Sequence, residues 1–298
     1  MKILLTGGTG FIGSQLINEF IRHEFQCYIV TRNIRTSSNP FITYINWDQL
    51  TSNSFGESID VVINLAGESI NSGRWTKQLK DKILQSRIKS TNILITWFER
   101  QAHRPNLFIN ASAIGFYGTS GSITFNEHDK PISNDFLAST VREWETVASK
   151  AEELGIRTIL ARFGLVLGLN GGALPKMILP YKLFIGGPIG KGTQWISWIH
   201  EKDVVGLIFH SIKNTEIRGP INLVSPNPVT MNEFSKSLSA ALHRPNKLKV
   251  PNFALQLLLG EMSMLVLEGQ KVMPSKAIQT NYNFQFPSLK EALLLTLN

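Results

Sequence analysis

The chain has 298 residues, 43% hydrophobic and 17% charged, enough for one large α/β domain or a dinucleotide-binding core with a smaller lobe. Its single cysteine, Cys27, rules out an internal disulfide or cysteine-metal framework, so no metal site is expected and a cytoplasmic location is. The formal charge of +8 is dispersed, with no Lys/Arg block longer than two residues, so no nucleic-acid partner is expected.

The apolar run Ile3-Leu4-Leu5 predicts a buried strand at 2–6, leading into Gly7, Gly10 and Gly13. A helix over 12–23 follows, with Leu16, Ile17, Phe20 and Ile21 on one side. Strand, glycine turn and helix N-terminus in that order are the context of a dinucleotide fingerprint, in which free N–H groups hold phosphate. A glycine-rich turn without ligand is the alternative. A strand starting at residue 2 leaves no room for a signal peptide.

The second strand, Gln26-Cys-Tyr-Ile-Val-Thr31, ends at Arg32, with Arg35 close behind. An NAD-binding unit carries an acid there for the ribose hydroxyl; arginine instead suits a 2′-phosphate. NADP is therefore the expected cofactor and NAD the alternative, unless Arg32 merely faces water. Asp48 reads as too far along the chain to be the missing acid.

Further strands are expected near 42–46, 60–65, 106–112 and 156–162, with helices at 76–100 and 138–154. The expected fold is α/β, a doubly wound parallel Rossmann sheet with a small, mostly helical C-terminal lobe. Residues 164–195 hold Pro175, Pro180 and paired glycines, too many breakers for regular structure, and read as a substrate-covering loop. A helix at 201–213 and a strand at 220–225 come next. Thr230-Met-Asn-Glu233 reads as a capping box opening a helix to Leu242, an apolar helix covers 252–267, and Ser288-Leu-Lys-Glu291 caps the last. Gly260, Glu261 and Ser263 interrupt the apolar stretch, so no membrane span is expected. Residues 1–163 are expected to form the dinucleotide-binding domain, completed by parts of 196–225, and 164–298 the loop and lobe.

Thr6-Gly-Gly-Thr-Gly-Phe-Ile-Gly13 with Asn64-Leu-Ala-Gly67 resembles the extended short-chain dehydrogenase/reductase superfamily, the NAD(P)-dependent epimerase/dehydratase-like proteins. Ser112-Ala-Ile-Gly-Phe-Tyr-Gly118, Arg162-Phe-Gly-Leu-Val-Leu-Gly168 and Trp198-Ile-His-Glu-Lys-Asp203 are similar to active-site and substrate-side segments of nucleotide-sugar epimerases. Asn64-Leu-Ala-Gly-Glu-Ser-Ile70, Arg74-Trp75, Gly186-Gly-Pro-Ile-Gly190 and Leu267-Glu-Gly-Gln-Lys-Val272 narrow the likeness to the family 39U subgroup, over essentially the whole chain. The resemblance implies that Thr6, Gly7, Gly10, Phe11, Ile12 and Gly13 hold pyrophosphate, and Thr31 and Arg32 the adenosine phosphate. It puts Leu65, Ala66 and Gly67 along the nicotinamide ribose. Arg87 matches the subgroup's arginine near the cofactor, with an ordinary exposed helix arginine as the other reading.

These reductases act through Tyr-x-x-x-Lys on a helix, the ammonium lowering the tyrosine pKa. Here the residues four beyond Tyr28, Tyr44, Tyr117, Tyr181 and Tyr282 are Arg32, Asp48, Gly121, Ile185 and Phe286, so the pair is absent. Alignment puts Leu137 and Val141 in its place. Ser112 with Tyr117 is the favoured replacement, stabilising a developing oxyanion; His200 and Glu68 are the other candidates, His200 reading rather as a structural partner of Asp203. The expected function is an NADP(H)-binding epimerase-like oxidoreductase acting on a small carbonyl, alcohol or nucleotide-sugar-like substrate. The alternative is a non-catalytic NADP(H)-binding redox sensor or protein partner. A homodimer is an open expectation.

Overall fold

A computed structural model describes residues 1–297. Strand β1 (Lys2–Thr6) is followed by helix α1 (Phe11–Arg22), β2 (Gln26–Thr31), β3 (Ile42–Asn46), the short α2 (Trp47–Thr51) and β4 (Val61–Asn64). Helix α3 (Lys77–Arg100), β5 (Leu107–Ala113), the two-residue β6 (Thr124–Phe125), α4 (Phe136–Glu153) and β7 (Arg157–Phe163) complete the first half. The second half runs β8 (Leu165–Leu167), α5 (Leu174–Lys182), β9 (Trp195–Ile196), β10 (Trp198–His200), α6 (Glu201–Lys213), β11 (Gly219–Leu223) and β12 (Val229–Thr230). It ends with α7 (Met231–Leu242), α8 (Asn252–Leu259), α9 (Met264–Leu267), β13 (Lys271–Val272), α10 (Ser275–Gln279) and α11 (Leu289–Leu297).

Seven strands form one parallel sheet in the order β11-β7-β5-β4-β1-β2-β3. The period of two along β1 decides which side chain meets which layer. Ile3 and Leu5 face Leu16, Ile17 and Phe20 of α1 and Val204, Leu207 and Ile208 of α6. Leu4 faces the other way, with Leu94, Trp97 and Phe98 of α3 and Ala148 and Ala151 of α4. A sheet buried on both faces is why its strands read as near-continuous apolar runs. The chain order reverses direction beside β1, so the crevice at the strands' carboxyl ends lies there.

Residues 164–195 contain more order than expected, because β8 and α5 lie inside the segment. Pro175 falls in the first turn of α5, where its missing N–H has no helical partner to lose. Leu174, Ile178 and Tyr181, spaced by four and three, bury one face of α5 against Leu238 of α7 and Leu293 of α11. The expected helix over 252–267 is instead broken into α8, a 3-10 turn and α9, with Gly260 at φ +59° ending α8. The capping box at Thr230 and Glu233 forms and opens α7. Among the described residues, no helix is long and apolar enough to cross a membrane.

Candidate functional site

The carboxyl ends of β1, β2, β4 and β5 open onto a cleft made of two cavities, about 830 and 530 Å³, that share Gly7, Gly10 and Leu65. The glycine turn can exist only without side chains at two points. A Cβ on Gly7, whose φ is +69°, would lie 2.6 Å from the Leu65 carbonyl oxygen. One on Gly13 would lie 2.4 Å from the Gly7 oxygen, so the start of α1 packs directly on the turn. Helix α1 begins after Gly10 with no side-chain cap. Its first N–H groups therefore face the cleft as free donors at the positive end of the helix.

The larger cavity is the basic one. Thr31, Arg32 and Arg35 line it from the end of β2, and Lys89 from α3. Asp48 lines it too, which corrects the expectation that it lies too far away. Register decides this: Thr31 pairs with Asn46, and Asn46 immediately caps α2, carrying Asp48 to the end of β2. Leu65, Ala66 and Gly67 form the wall after β4.

Thr6 is not a wall residue. Its side chain is fully buried, donating to Asn64 Oδ1 at 2.6 Å and accepting from the Ala66 amide at 3.2 Å. Asn64 Nδ2 in turn donates to Asn110 Oδ1 and Thr91 Oγ1, and Trp144 Nε1 donates to Thr91 Oγ1. This buried polar ladder ties β1, β4, β5, α3 and α4 together beneath the cleft floor.

The smaller cavity is largely apolar. Phe11, Ile12 and Gly13 line it from α1, and Leu137, Val141 and Trp144 from one face of α4. The two positions where tyrosine and lysine are expected thus do face the cleft, and they present hydrocarbon. Arg87 lines the same cavity and is not an ordinary exposed helix arginine. It donates from Nη1 to the Glu68 and Ile83 carbonyls, its guanidinium lies 5.1 Å above the Trp144 ring, and burial lowers its pKa to about 10.

Ser112, at the end of β5, lines the cavity with its residue 3% exposed. Its hydroxyl donates to Glu145 Oε1 at 2.5 Å. Arg162 holds that carboxylate as a fork, Nε to Oε1 and Nη2 to Oε2, each at 2.8 Å. Tyr117 lies behind this pair and does not line the cleft, contrary to its expected catalytic place. It is fully buried, donating to Asn222 Oδ1 at 2.8 Å and accepting from Arg162 Nη1 at 2.9 Å. Burial pushes its phenol up to about 12, the opposite of what a tyrosinate needs. The short 3-10 turn after Ser112 points the ring into a core with Phe125, Val224 and Val272.

The other two candidates have partners of their own, and Glu68 also lines the larger cavity. His200 accepts from the Lys202 amide as the cap of α6 and pairs with Thr296 Oγ1 at 3.1 Å, not with Asp203. Asp203 instead accepts from Tyr282 and from the amides of Gln285 and Phe286. Glu68 pairs with Lys82 at 3.2 Å, which holds its carboxyl below the usual range. Glu145 was the residue sequence reasoning missed. Its signal was present: it is four residues beyond Val141, an acid on the buried stripe of α4.

Residues 3–223 match the NAD dependent epimerase/dehydratase family, and residues 250–294 match a domain of unknown function, DUF1731. The chain belongs to the NAD dependent epimerase/dehydratase family. An epimerase family protein of Bacillus subtilis, YfhF, is 44% identical over 297 residues, covering 98% of this chain and 97% of its own. Human epimerase family protein SDR39U1 (isoform 2), solved with NADPH, is 32% identical with a TM-score of 0.91, covering 100% of this chain and 99% of its own. UDP-glucose 4-epimerase of Thermotoga maritima, solved with UDP-glucose, shares the fold at a TM-score of 0.80 and 17% identity, covering 100% of this chain and 97% of its own.

Proposed function

We propose that the cleft binds NADP(H) and that this family member is an epimerase-like oxidoreductase acting on a small carbonyl or alcohol. The carrying observation is the end of β2, where Thr31 takes the acid's position and Arg32, Arg35 and Lys89 gather in one cavity. A 2′-phosphate there meets three basic side chains, Arg32, Arg35 and Lys89, against two acids, Asp48 and Glu68. The human relative solved with NADPH supports the same reading.

The residues present fit such a cofactor. The bare turn from Gly7 to Gly13 and the free N–H groups of Phe11, Ile12 and Gly13 receive the pyrophosphate. Thr31 and Arg32 receive the adenosine phosphate, and Leu65, Ala66 and Gly67 line the second ribose. Arg87 and Ser112 stand at the nicotinamide end. Bound there, a nicotinamide supplies or accepts hydride, which is chemistry the side chains themselves do not have. Leu137, Val141 and Trp144 keep that end dry.

A second reading, a non-catalytic NADP(H) binder, is favoured by Leu137 and Val141 standing where the acid/base pair is expected. Mixing the protein with NADPH and a panel of small carbonyls, and following loss of reduced-nicotinamide absorbance, separates the two. Oxidation dependent on one carbonyl supports the oxidoreductase. NADPH binding without oxidation across the panel would overturn it in favour of the binder.

A further inference from the structure

Given NADP(H) in the cleft, on which this rests, we infer that the smaller cavity takes a small, uncharged and mainly apolar alcohol, oriented by its hydroxyl on Ser112, and excludes nucleoside diphosphate sugars. Charge is the first argument. One cation, Arg87, lines this cavity against two carboxylates, Asp135 and Glu268. Arg87 Nη1 is already taken by the Glu68 and Ile83 carbonyls. The nearby Lys271 lies over the Trp195 ring, with Nζ 4.7 Å from its centroid, and does not line the cavity. A diphosphate would meet a single cation, with Nη1 already bonded to two carbonyls, against two like charges on the wall.

The N-terminus of α4 offers no substitute. Asp135 caps it, accepting from the Ala138 amide at 3.0 Å, and a carboxylate already occupies the place an anion would take. Volume points the same way. The nicotinamide end must share about 530 Å³ with the second molecule, which limits that molecule to a small one.

Ser112 sets the polarity of recognition. Arg162 donates two bonds to the Glu145 carboxylate and the Ser112 hydroxyl donates a third, so the proton between Ser112 and Glu145 is the serine's. Ser112 Oγ then has lone pairs but no proton for the cleft. A hydroxyl donor satisfies it; a carboxylate or phosphate oxygen meets only repulsion. Around it Leu137, Val141, Trp144 and Ile114 reward hydrocarbon. Glu145 is thus a positioning residue, acting through Ser112.

The test uses the full protein saturated with NADP+, titrated calorimetrically with benzyl alcohol, toluene, benzoate and UDP-glucose. Saturation by NADP+ is measured first, and its failure would strike the cofactor reading before any probe is added. With the cofactor bound, benzyl alcohol and toluene are expected to bind, benzoate and UDP-glucose not. Ser112→Ala should lower the alcohol-to-toluene affinity ratio about fivefold, the worth of one neutral hydrogen bond, and leave toluene unchanged. A general packing defect would weaken both probes alike. Saturable UDP-glucose or benzoate binding, no binding of the alcohol, or an unchanged ratio in Ser112→Ala would each overturn the inference.

Discussion

Ser112 Oγ donates to Glu145 Oε1 across 2.5 Å, and Arg162 Nε donates to the same oxygen at 2.8 Å. The cleft serine is therefore joined directly to a buried ion pair behind the cavity wall. Removing the carboxylate with Glu145→Ala leaves the Arg162 guanidinium buried and uncompensated, which costs about 3–5 kcal/mol. Urea denaturation of both proteins measures it. A loss below about 1 kcal/mol, the worth of an exposed pair, would contradict the buried arrangement.

Tyr117→Phe separates a structural hydroxyl from a catalytic one. Arg162 Nη1 and Asn222 Oδ1 lose their partner, so stability should fall by about 1–3 kcal/mol while NADPH affinity stays unchanged. Undiminished stability with lost NADPH affinity or turnover would restore Tyr117 to the cleft.

Two glycines in one turn should behave differently. A Cβ on Gly10 meets only the Gly7 oxygen at 3.2 Å, whereas one on Gly13 meets Gly7 and Gly8 backbone at 2.4–2.9 Å. Gly10→Val should abolish NADPH binding, by blocking pyrophosphate approach, with a modest loss of melting temperature. Gly13→Ala should destabilise the fold itself. Full NADPH affinity in Gly10→Val would mean that the turn does not meet pyrophosphate.

Arg32→Asp replaces a phosphate donor by a repelling charge. The preference for NADPH over NADH should fall by about ten- to a hundredfold, matching one charge-assisted bond. Fluorescence titration with both coenzymes reads this ratio, and an unchanged ratio would remove Arg32 from the phosphate site.

His200 gives acid sensitivity of known sign. Burial, with Lys202 beside it, holds the imidazole down to about 4, against about 6.5 when unfolded. Between these values the unfolded chain binds a proton that the folded chain refuses, so this group's stability contribution is lost as pH falls from about 6.5 to about 4. The stability advantage of the native protein over His200→Asn should shrink by about 2–4 kcal/mol across that window. A constant difference would contradict the buried, neutral imidazole.

The sheet was legible because its strands are buried on both faces and its helices carry clean 3.6-residue periodicity, as at Leu16, Ile17 and Phe20. Helix α5 was hidden because Pro175 reads as a breaker until its first-turn position is known. The site was legible where backbone chemistry dictates residue type, at Gly7 and Gly13, and at the strand end carrying Arg32. It was illegible where direction matters. Tyr117 and Ser112 are five residues apart, yet the intervening 3-10 turn sends the phenol into the core and leaves the serine on the wall. Asp48 was misjudged because distance along the chain is not distance in space: pairing of Thr31 with Asn46 brings it to the cavity.

The most direct measurement is a pair of dissociation constants, for NADPH and for NADH, on the unaltered protein. The arginines at the end of β2 predict NADPH binding tighter by about tenfold or more. Equal affinities, tighter NADH, or no binding of either would contradict the account.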